Sequence, residues 1–393
     1  MSIKKRAVFY IGGYDPKSPH AFYDRLEKEC GRFSKLWHAD VVPTDEVRQE
    51  HDITIQSFKT EGIAWKTRTT FHFLNLDDIV LRDFAKPVWT RTLRSLVTTT
   101  DYVMSGMAWK FLRHAWRFFL YFCYPPVSAL LTLLLCIGIT AYVAIQDFAY
   151  APLAAAGVFI FSFWGLIELF WKRKYVLHLM DLWSFSRDFI YRSRSDIDQK
   201  LDRFADMIVS VAGETRYDEI ILIGHSTGGA LILDAAARAR EKDPELTGKS
   251  ANIQVLTVGS TALKIGMHPK AGWYRDRLKT CFADTKMRWC EYQCHTDVIN
   301  FYKTDPAALM SLNLAADVDG NKRPIVNAIR VKDMVDKATY KRISGNFFRV
   351  HYQFVFGNTR SYHYDFPAIC FGPASLKNRA TKPNHFLKSI LGE

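Results

Sequence analysis

A serine held between two glycines is the residue of this chain whose type and spacing best suit covalent chemistry. Gly224, Ser226 and Gly228 read G-x-S-x-G within ILIGHSTGGALILDAAARA, residues 222–240. A branched apolar run, residues 219–223, precedes the motif, and an Ala-rich run follows it. These flanks predict a buried parallel strand, a sharp turn and a helix, an arrangement that presents a serine hydroxyl at the turn.

Chemistry at such a hydroxyl requires further groups. A serine hydroxyl is a poor nucleophile at neutral pH, so Ser226 needs a base within hydrogen-bond reach, and the base needs an orienting carboxylate. Negative charge that develops on an attacked carbonyl needs backbone N–H donors. Such groups come from distant parts of a chain, so the order of the strands and helices decides which residues can meet Ser226.

Strand-like apolar segments alternate with helix-like segments along most of the chain. An amphipathic helix that opens at Ser-Pro is predicted for residues 18–37, and a polar helix for residues 181–212. The predicted strands are residues 6–13, 53–58, 67–76, 219–223, 252–260, 287–299 and 324–331. This alternation predicts an α/β fold with a mostly parallel sheet flanked by helices.

Two uncharged segments interrupt the alternation. No charged residue lies between Arg117 and Asp147, and residues 127–145 of this segment would span roughly 28 Å as a helix, which matches a bilayer core. A second uncharged segment, residues 148–167, follows after a very short connection. The pair predicts an inserted two-helix transmembrane hairpin. The alternative is a buried helical hairpin inside a soluble cap.

Basic residues flank both outer ends of the hairpin: Lys110, Arg113, Arg117, Lys172, Arg173 and Lys174. Because such residues stay on the cytoplasmic side, we expect a two-pass protein with both termini and the soluble part in the cytoplasm, at the inner membrane if the source is bacterial. Attraction to anionic headgroups accounts for much of the formal net charge of +13, so no nucleic-acid partner is predicted. The seven cysteines lack a framework spacing, which fits reduced thiols.

The segment GHSTGG and the order of elements around it resemble the α/β-hydrolase superfamily, specifically lipase- or esterase-like serine hydrolases, here with a two-helix transmembrane insertion. The resemblance covers about residues 6 to 375. It divides the chain into an N-terminal part of the hydrolase domain (1–110), the hairpin insertion (111–175) and a C-terminal part with the serine turn (176–393). The family's usual first two strands have no counterpart in the sequence.

The family order implies the acid and the base. Asp297 is the expected acid because it follows the second strand after the serine, in EYQCHTDVIN, although an aspartate there could also cap a helix. Asp305 lies deeper in the next loop, where Asp-Pro is typical of a turn, and Asp284 precedes the strand. His351 is the expected base, and His363 in RSYHYDF is the alternative base.

The resemblance also implies an oxyanion hole made of two backbone N–H groups. One is assigned to Thr227, directly after the serine, and the other to Gly13 or Tyr14 in IGGYDP, where paired glycines allow close approach. The alternative for IGGYDP is a plain β-turn. His225, next to Ser226, matches the residue usual in the family and is expected to support the site rather than to act as the base.

Taken together, the resemblance implies a membrane-anchored serine hydrolase that cleaves carboxylic esters of a lipid or acylated substrate through an acyl-serine intermediate, without cofactor or metal. If the strand that ends near Leu76 is parallel to its neighbours, the hairpin would hold the catalytic mouth against the cytoplasmic leaflet. An acyltransferase would use the same triad, and a non-catalytic membrane-bound module would keep only the fold. A transporter is disfavoured because the two helices carry no internal charge. The residues do not indicate an oligomeric state.

Overall fold

The computed structural model describes residues 2–214, 216–249 and 251–382. The chain forms two compact units. Unit 1 comprises the described residues of Met1–Val80 and Phe189–Glu393, and unit 2 comprises Leu81–Asp188. Unit 2 is longer than the insertion predicted at 111–175, because it includes further helical segments on both sides of the hairpin.

In the described residues, unit 1 is built on one nine-stranded sheet. The strands are β1 (Lys5–Ile11), β2 (Asp40–Pro43), β3 (Arg48–Glu50), β4 (Ile53–Glu61), β5 (Lys66–Leu74), β6 (Glu219–His225), β7 (Asn252–Val258), β8 (Arg288–Cys294) and β9 (Ile325–Ile329). Their spatial order is β2-β4-β5-β1-β6-β7-β8-β9, and β3 also pairs with β4. β6 lies near the middle of this order and is buried along its whole length.

The sheet is mixed. The run β5-β1-β6-β7-β8-β9 is parallel throughout, whereas β4 is antiparallel to β5, and both β2 and β3 are antiparallel to β4. The predicted α/β class is therefore confirmed, with an antiparallel edge that the sequence pattern did not reveal. Residues 62–65 alone connect β4 to β5, and so short a connection permits only antiparallel pairing.

The helices complete the element order. They are α1 (Pro19–Trp37), α2 (Asp77–Phe84), α3 (Val88–Met104), α4 (Met107–His114), α5 (Trp116–Ala144), α6 (Ala151–Leu166), α7 (Val176–Ile190), α8 (Ser195–Gly213), α9 (Gly228–Lys242), α10 (Leu263–Gly266), α11 (Gly272–Ala283), α12 (Pro306–Leu309), α13 (Val331–Met334), α14 (Lys337–Ile343), α15 (Phe347–Tyr352), α16 (Phe366–Phe371) and α17 (Leu376–Thr381). The Ser18 hydroxyl caps α1 by accepting a hydrogen bond from the Ala21 N–H at 3.3 Å, as a Ser-Pro start favours.

The single helix predicted for residues 181–212 is wrong, because the segment forms parts of α7 and α8. Residues 191–194 separate the two helices, and Arg192 among them has a φ of 52°. A left-handed backbone at a residue with a Cβ cannot continue an α-helix, so the chain turns there.

The parallel strands bring distant residues to one edge of the sheet. Gly13 follows β1, Ser226 follows β6, Gly259 follows β7, and Asp297 follows β8. Because parallel strands point the same way, their carboxyl ends lie along a common edge, which is where open α/β sheets place their ligand sites. β5 is parallel to β1 and ends at this edge as well.

Unit 2 contains two long apolar helices. α5 has 29 residues and a mean hydropathy of 2.2, and it continues through Pro125 and Pro126. α6 and the π-helical turn that follows it (Ile167–Trp171) together have 21 residues and a mean hydropathy of 2.0. By length and composition both are able to cross a membrane, and only 17 % and 11 % of their most apolar windows are buried. The alternative of a buried soluble hairpin predicts helices that are mostly buried.

Candidate active site

The backbone at Ser226 is held in a left-handed conformation. Its φ is 57°, a value that residues with a Cβ rarely adopt and that marks stored strain. Hydrogen bonds on both sides fix this turn: the Ser226 N–H donates to the Val258 carbonyl at 3.2 Å, and the Ser226 carbonyl accepts from Gly229 and Thr261 at 3.0 Å each. The chain therefore makes the strained strand-to-helix turn that the motif predicted, between β6 and α9.

The glycines of the motif are required by close packing. A Cβ placed on Gly224 would lie 2.3 Å from the Gly228 carbonyl oxygen, and a Cβ on Gly228 would lie 2.2 Å from the Ile11 carbonyl oxygen. Both distances are far inside van der Waals contact. The turn thus packs directly against the end of β1, which brings the loop after β1 next to Ser226.

Asp297 and His351 lie in contact at this edge of the sheet. The His351 Nδ1 is 2.7 Å from the Asp297 Oδ2, and both side chains are almost fully buried. The other oxygen of Asp297 accepts from the Ile299 N–H at 2.9 Å, which fixes the carboxylate. When Nδ1 donates its hydrogen to the carboxylate, the His351 Nε2 carries the free lone pair that a general base needs.

The position of His351 is set by its neighbours. The Asn346 side chain caps α15 by accepting from the Arg349 N–H at 3.1 Å, and His351 lies on the last turn of that helix. The His225 Nε2 is 3.2 Å from the His351 carbonyl oxygen, and the two imidazole rings are 4.6 Å apart. Burial and the charge of His351 lower the pKa of His225, which favours a neutral supporting ring.

The hydrogen bond between serine and histidine is not formed. Among the described residues, no partner hydrogen-bonds to the His351 Nε2, although that atom is buried. The ring lies close to the end of β7, since a Cβ on Gly259 would be 3.1 Å from the His351 Cε1, and the Ser226 N–H bonds to the last carbonyl of that strand, at Val258. In a ligand-free site such contacts are often long, and they tighten when substrate is bound.

The residues predicted for the oxyanion hole are arranged around Ser226. A Cβ on Gly13 would lie 3.2 Å from the Ser226 Cβ and 3.5 Å from its Oγ, so the Gly13 backbone directly adjoins the serine. Thr227 immediately precedes α9. Within the described chain, neither the Gly13 nor the Thr227 N–H donates to another backbone carbonyl. Tyr14 is buried beside them.

Lys264 is a residue of the site that the sequence analysis missed. Its Nζ donates to the Thr227 Oγ1 at 2.9 Å, and burial lowers its pKa to about 7. The segment TALKIG offers a weak signal, namely one lysine within a short apolar run. Lys264 thus holds the side chain of Thr227, whose backbone N–H adjoins Ser226.

The rival residues lie in other settings. Asp305 caps α12 by accepting from the Ala308 N–H at 3.0 Å, and Asp284 accepts from the Lys286 N–H at 2.8 Å before β8 begins. Asp365, the sequence neighbour of His363, accepts instead from the Trp37 indole N–H at 2.7 Å. Among the residues that the structure describes, a carboxylate therefore contacts His351, and none hydrogen-bonds to His363.

A small, partly open pocket adjoins Gly13. Its apolar wall is aromatic, because the rings of Phe22 and Phe73 stack with centroids 4.0 Å apart and Tyr10 packs against both. The full lining is Tyr10, Gly12, Gly13, Asp15, Lys17, Phe22, Arg25, Phe73, Leu74, Leu76 and Tyr352. The pocket is linked to the serine through Gly13, which lines it and adjoins Ser226.

Comparisons with known proteins give no family to assign. No family model, no curated protein and no solved structure matches the chain. The functional argument consequently depends on the geometry of the chain's own residues.

Proposed function

We propose that this chain is a membrane-anchored serine hydrolase of the α/β-hydrolase type, which cleaves carboxylic esters of lipid or acylated substrates through an acyl-serine intermediate. The observation that carries the proposal is the 2.7 Å contact between His351 and Asp297 at the sheet edge where Ser226 occupies a left-handed turn. Serine, acid and histidine also follow one another along the chain in the order usual for that fold.

In the proposed reaction, the Ser226 hydroxyl attacks the ester carbonyl carbon while the His351 Nε2 takes its proton. The Asp297 carboxylate holds the imidazole in the required tautomer and stabilises the imidazolium. Collapse of the tetrahedral intermediate breaks the ester bond, and the alcohol leaves with the proton from His351. Water then attacks the acyl-serine by the same route, which releases the acid and restores Ser226.

The oxyanion hole of this proposal consists of the Thr227 and Gly13 N–H groups. Two observations support it: both adjoin Ser226, and neither donates to a backbone carbonyl in the described chain. N–H groups that are already oriented can stabilise the developing oxyanion without reorganising during the reaction. Tyr14 remains the alternative second donor.

The parallel part of the sheet supports the proposed fold type. The run from β5 to β9 contains the serine strand, and the antiparallel β2, β3 and β4 lie at one end of the order. We propose that the parallel run is the hydrolase core and that the antiparallel strands are an edge addition. The missing first strands noted in the sequence agree with this interpretation.

The membrane part of the proposal depends on unit 2. Two exposed apolar helices of membrane-spanning length, with basic residues before the first and after the second, favour a two-pass hairpin with both ends on the cytoplasmic side. Anchoring of this kind suits an enzyme whose esters reside in the bilayer, because it removes the need to capture a dilute lipid from water.

Hydrolysis of p-nitrophenyl butyrate by the detergent-solubilised full chain tests the proposal. We expect turnover by the wild type and by His363→Ala, and loss of turnover in Ser226→Ala and His351→Ala. Retention of the native thermal transition in the inactive variants serves as the folding control. Turnover that survives Ser226→Ala would contradict the proposal, and a folded but inactive wild type would favour the non-catalytic module.

A further inference from the structure

The pocket beside Gly13 holds more positive than negative charge. Lys17 and Arg25 line it together with one carboxylate, that of Asp15. Asp15 is already engaged, since it accepts a hydrogen bond from the Tyr352 hydroxyl and pairs with Lys17 at 3.1 Å. The charge of Arg25 is therefore not balanced within the pocket.

Arg25 is held by aromatic rings and leaves one buried donor unused. Its guanidinium lies over the rings of Phe22, Tyr352 and Phe356, at 5.3, 5.9 and 5.7 Å from their centroids. No hydrogen-bond partner in the described chain meets its buried Nη1. Buried N–H donors of a guanidinium are normally satisfied, so the Arg25 Nη1 is positioned to donate to a bound acceptor.

The nearest other carboxylate does not supply that acceptor. Glu29 lies one turn further along α1, and its oxygens accept from the Arg32 guanidinium at 2.8 Å and from the Gly357 N–H at 2.7 Å. Burial and the charge of Arg25 lower the pKa of Lys17, so the two cations of the pocket repel one another. A bound anion would relieve that repulsion.

We propose that this pocket binds an anionic group of the ester substrate, a phosphate or a carboxylate, with Arg25 as its main ligand and Lys17 as its second. Gly13 lines the pocket and also adjoins Ser226, so one molecule can place its charge against Arg25 and its ester carbonyl at the serine. The assignment rests on the proposed hydrolase function, and it makes the preferred substrate an acidic ester.

A matched pair of short esters tests this assignment. Monobutyrin and 1-butyrylglycerol 3-phosphate differ only in the phosphate, so the ratio of their kcat/KM values measures recognition of the charge. Because a hydrogen bond to a charged group contributes roughly 1.5–3 kcal/mol, we expect Arg25→Gln to lower the phosphate-to-neutral ratio about 10- to 100-fold. Lys28→Ala, an exposed change on the same helix, should leave the ratio unaltered. An unchanged ratio in Arg25→Gln overturns the assignment.

Free anions separate a true subsite from general attraction to anionic lipid. Inorganic phosphate should inhibit monobutyrin hydrolysis competitively in the wild type, and at least tenfold more weakly in Arg25→Gln. If the wild type hydrolyses neither ester, the hydrolase proposal fails. Binding of glycerol 3-phosphate, followed by thermal unfolding, then tests the pocket by itself. Glycerol 3-phosphate should raise the thermal midpoint of the wild type and of Lys28→Ala but not of Arg25→Gln. No rise in any of the three proteins overturns the assignment of the pocket.

A second, independent observation concerns the polarity of α3 in unit 2. Its charged side chains and a hydroxyl turn toward α7, where they pair with polar groups. The contacts are Arg91–Asp181 at 2.5 Å, Arg94–Asp188 at 2.5 Å, Asp101–Arg187 at 3.1 Å and Thr98–Ser184 at 3.5 Å. The polar side of α3 is therefore the side that packs against protein.

The opposite side of α3 is apolar and exposed. Its large apolar side chains are 46–82 % exposed: Trp89, Leu93, Leu96, Val97, Val103 and Met104. A helix on the surface of a water-soluble domain has the reverse arrangement, with apolar residues inward. Exposed apolar residues continue into α4 and the start of α5, at Trp109, Leu112, Trp116 and Leu120. Leu96 of α3 and Leu130 of the apolar α5 line the same groove.

We infer that α3 and α4 form a further membrane-contacting element, whose apolar side lies among the lipid acyl chains next to the hairpin. Lipid is the occupant that fits, because the surface is continuous with helices of membrane-spanning hydropathy and because the charged groups of α3 are paired inward, toward α7. Lys110, Arg113 and Arg117 adjoin it, as is typical of an interfacial segment near anionic headgroups.

Photo-crosslinking in the bilayer tests this inference. The full chain is placed in phosphatidylcholine–phosphatidylglycerol vesicles that contain a phospholipid with a diazirine in its acyl chain, and labelled peptides are mapped by mass spectrometry. We expect label on the exposed side of α3 at a yield within about threefold of that on α5, and none at Ile63, an exposed apolar residue of unit 1. Label on α5 and α6 without label on α3 overturns the inference.

Discussion

Unit 1 and unit 2 treat apolar side chains in opposite ways. Unit 1 buries them in the layers around its sheet, and unit 2 exposes long rows of leucine, isoleucine, phenylalanine and tryptophan. In the described chain, the exposed large apolar residues of unit 1 are Val42, Val47, Ile63, Tyr191, Val318 and Val326, and all others lie in unit 2. This difference is what the proposed membrane anchoring of unit 2 requires.

Charges show the same reversal. Unit 1 carries most of its charge on the outside and keeps a few satisfied groups inside, such as the fully buried pair Arg6–Glu219. In unit 2 the pair Arg91–Asp181 is buried, while leucines face outward on the same helix. Whether a polar residue is expected inside or outside therefore depends on whether water or lipid surrounds that part of the chain. The groups suited to the proposed chemistry lie in unit 1.

The largest effect is expected from Asp297→Asn, which tests whether unit 1 performs the chemistry. The amide cannot hold His351 with its lone pair on Nε2, so ester turnover should fall about 10³- to 10⁴-fold with little change in fold. Steady-state hydrolysis of p-nitrophenyl butyrate measures the loss. Asp305→Asn, which alters a helix cap and a surface pair with Lys322, is the matched control, and an equal loss there would argue against a special role for Asp297.

The next largest effect is expected from Arg6→Met in the interior of unit 1. The Arg6 Nε donates to Glu219 at 2.8 Å, and its Nη1 donates to the Gly372 carbonyl at 2.8 Å. The change leaves the buried Glu219 without its cation, which should lower the free energy of unfolding by about 3–5 kcal/mol. Denaturant titration in detergent measures the shift. Lys66→Met, in an exposed pair with Glu61, should leave the free energy of unfolding nearly unchanged.

Leu134→Arg tests the solvent assigned to unit 2. Leu134 is exposed near the middle of α5, and an arginine at the centre of a membrane span costs about 2.5–3.5 kcal/mol. We expect a clear loss of protein from the membrane fraction after carbonate extraction. Ile63→Arg, an exposed change in unit 1, should leave the distribution unaltered. If both variants remained in the membrane fraction to the same extent, the proposed contrast between the two units would be contradicted.

The smallest effect is expected from the pH dependence of Lys264. Burial lowers its pKa to about 7 from 10.5, so the unfolded chain binds more protons between these values and stability rises with pH across that window. Lys264→Met binds no proton there. Between pH 7 and 9 the wild type should therefore gain at most about 2 kcal/mol relative to Lys264→Met. Parallel pH slopes of the thermal midpoints would contradict this.

Much of the strand order was predictable because buried parallel strands are continuous apolar runs. The same regularity placed Asp297 after a strand in the sequence, and the structure brings it within 2.7 Å of His351. β2 and β3 were missed because they are short and largely exposed, so they lack the signal of a long buried apolar run. Their pairing with β4 depends on tertiary contacts.

Other features depend on which side of an element faces its neighbours. α3 carries Arg91, Arg94 and Asp101 among its apolar residues, so its composition resembles that of an ordinary amphipathic helix. Only the packed structure shows that these charges turn inward. Arg25 lies likewise on an amphipathic helix, and its unpartnered Nη1 is revealed only by the structure, which places Phe22 and Tyr352 around it.

Site-resolved labelling with a fluorophosphonate tests the central claim most directly. The detergent-solubilised full chain is treated with the probe, and the modified residue is identified by mass spectrometry. We predict one adduct, on Ser226, that is absent in Ser226→Ala, strongly reduced in His351→Ala and retained in His363→Ala. A folded wild type without an adduct, or an adduct that persists in Ser226→Ala, would contradict the account.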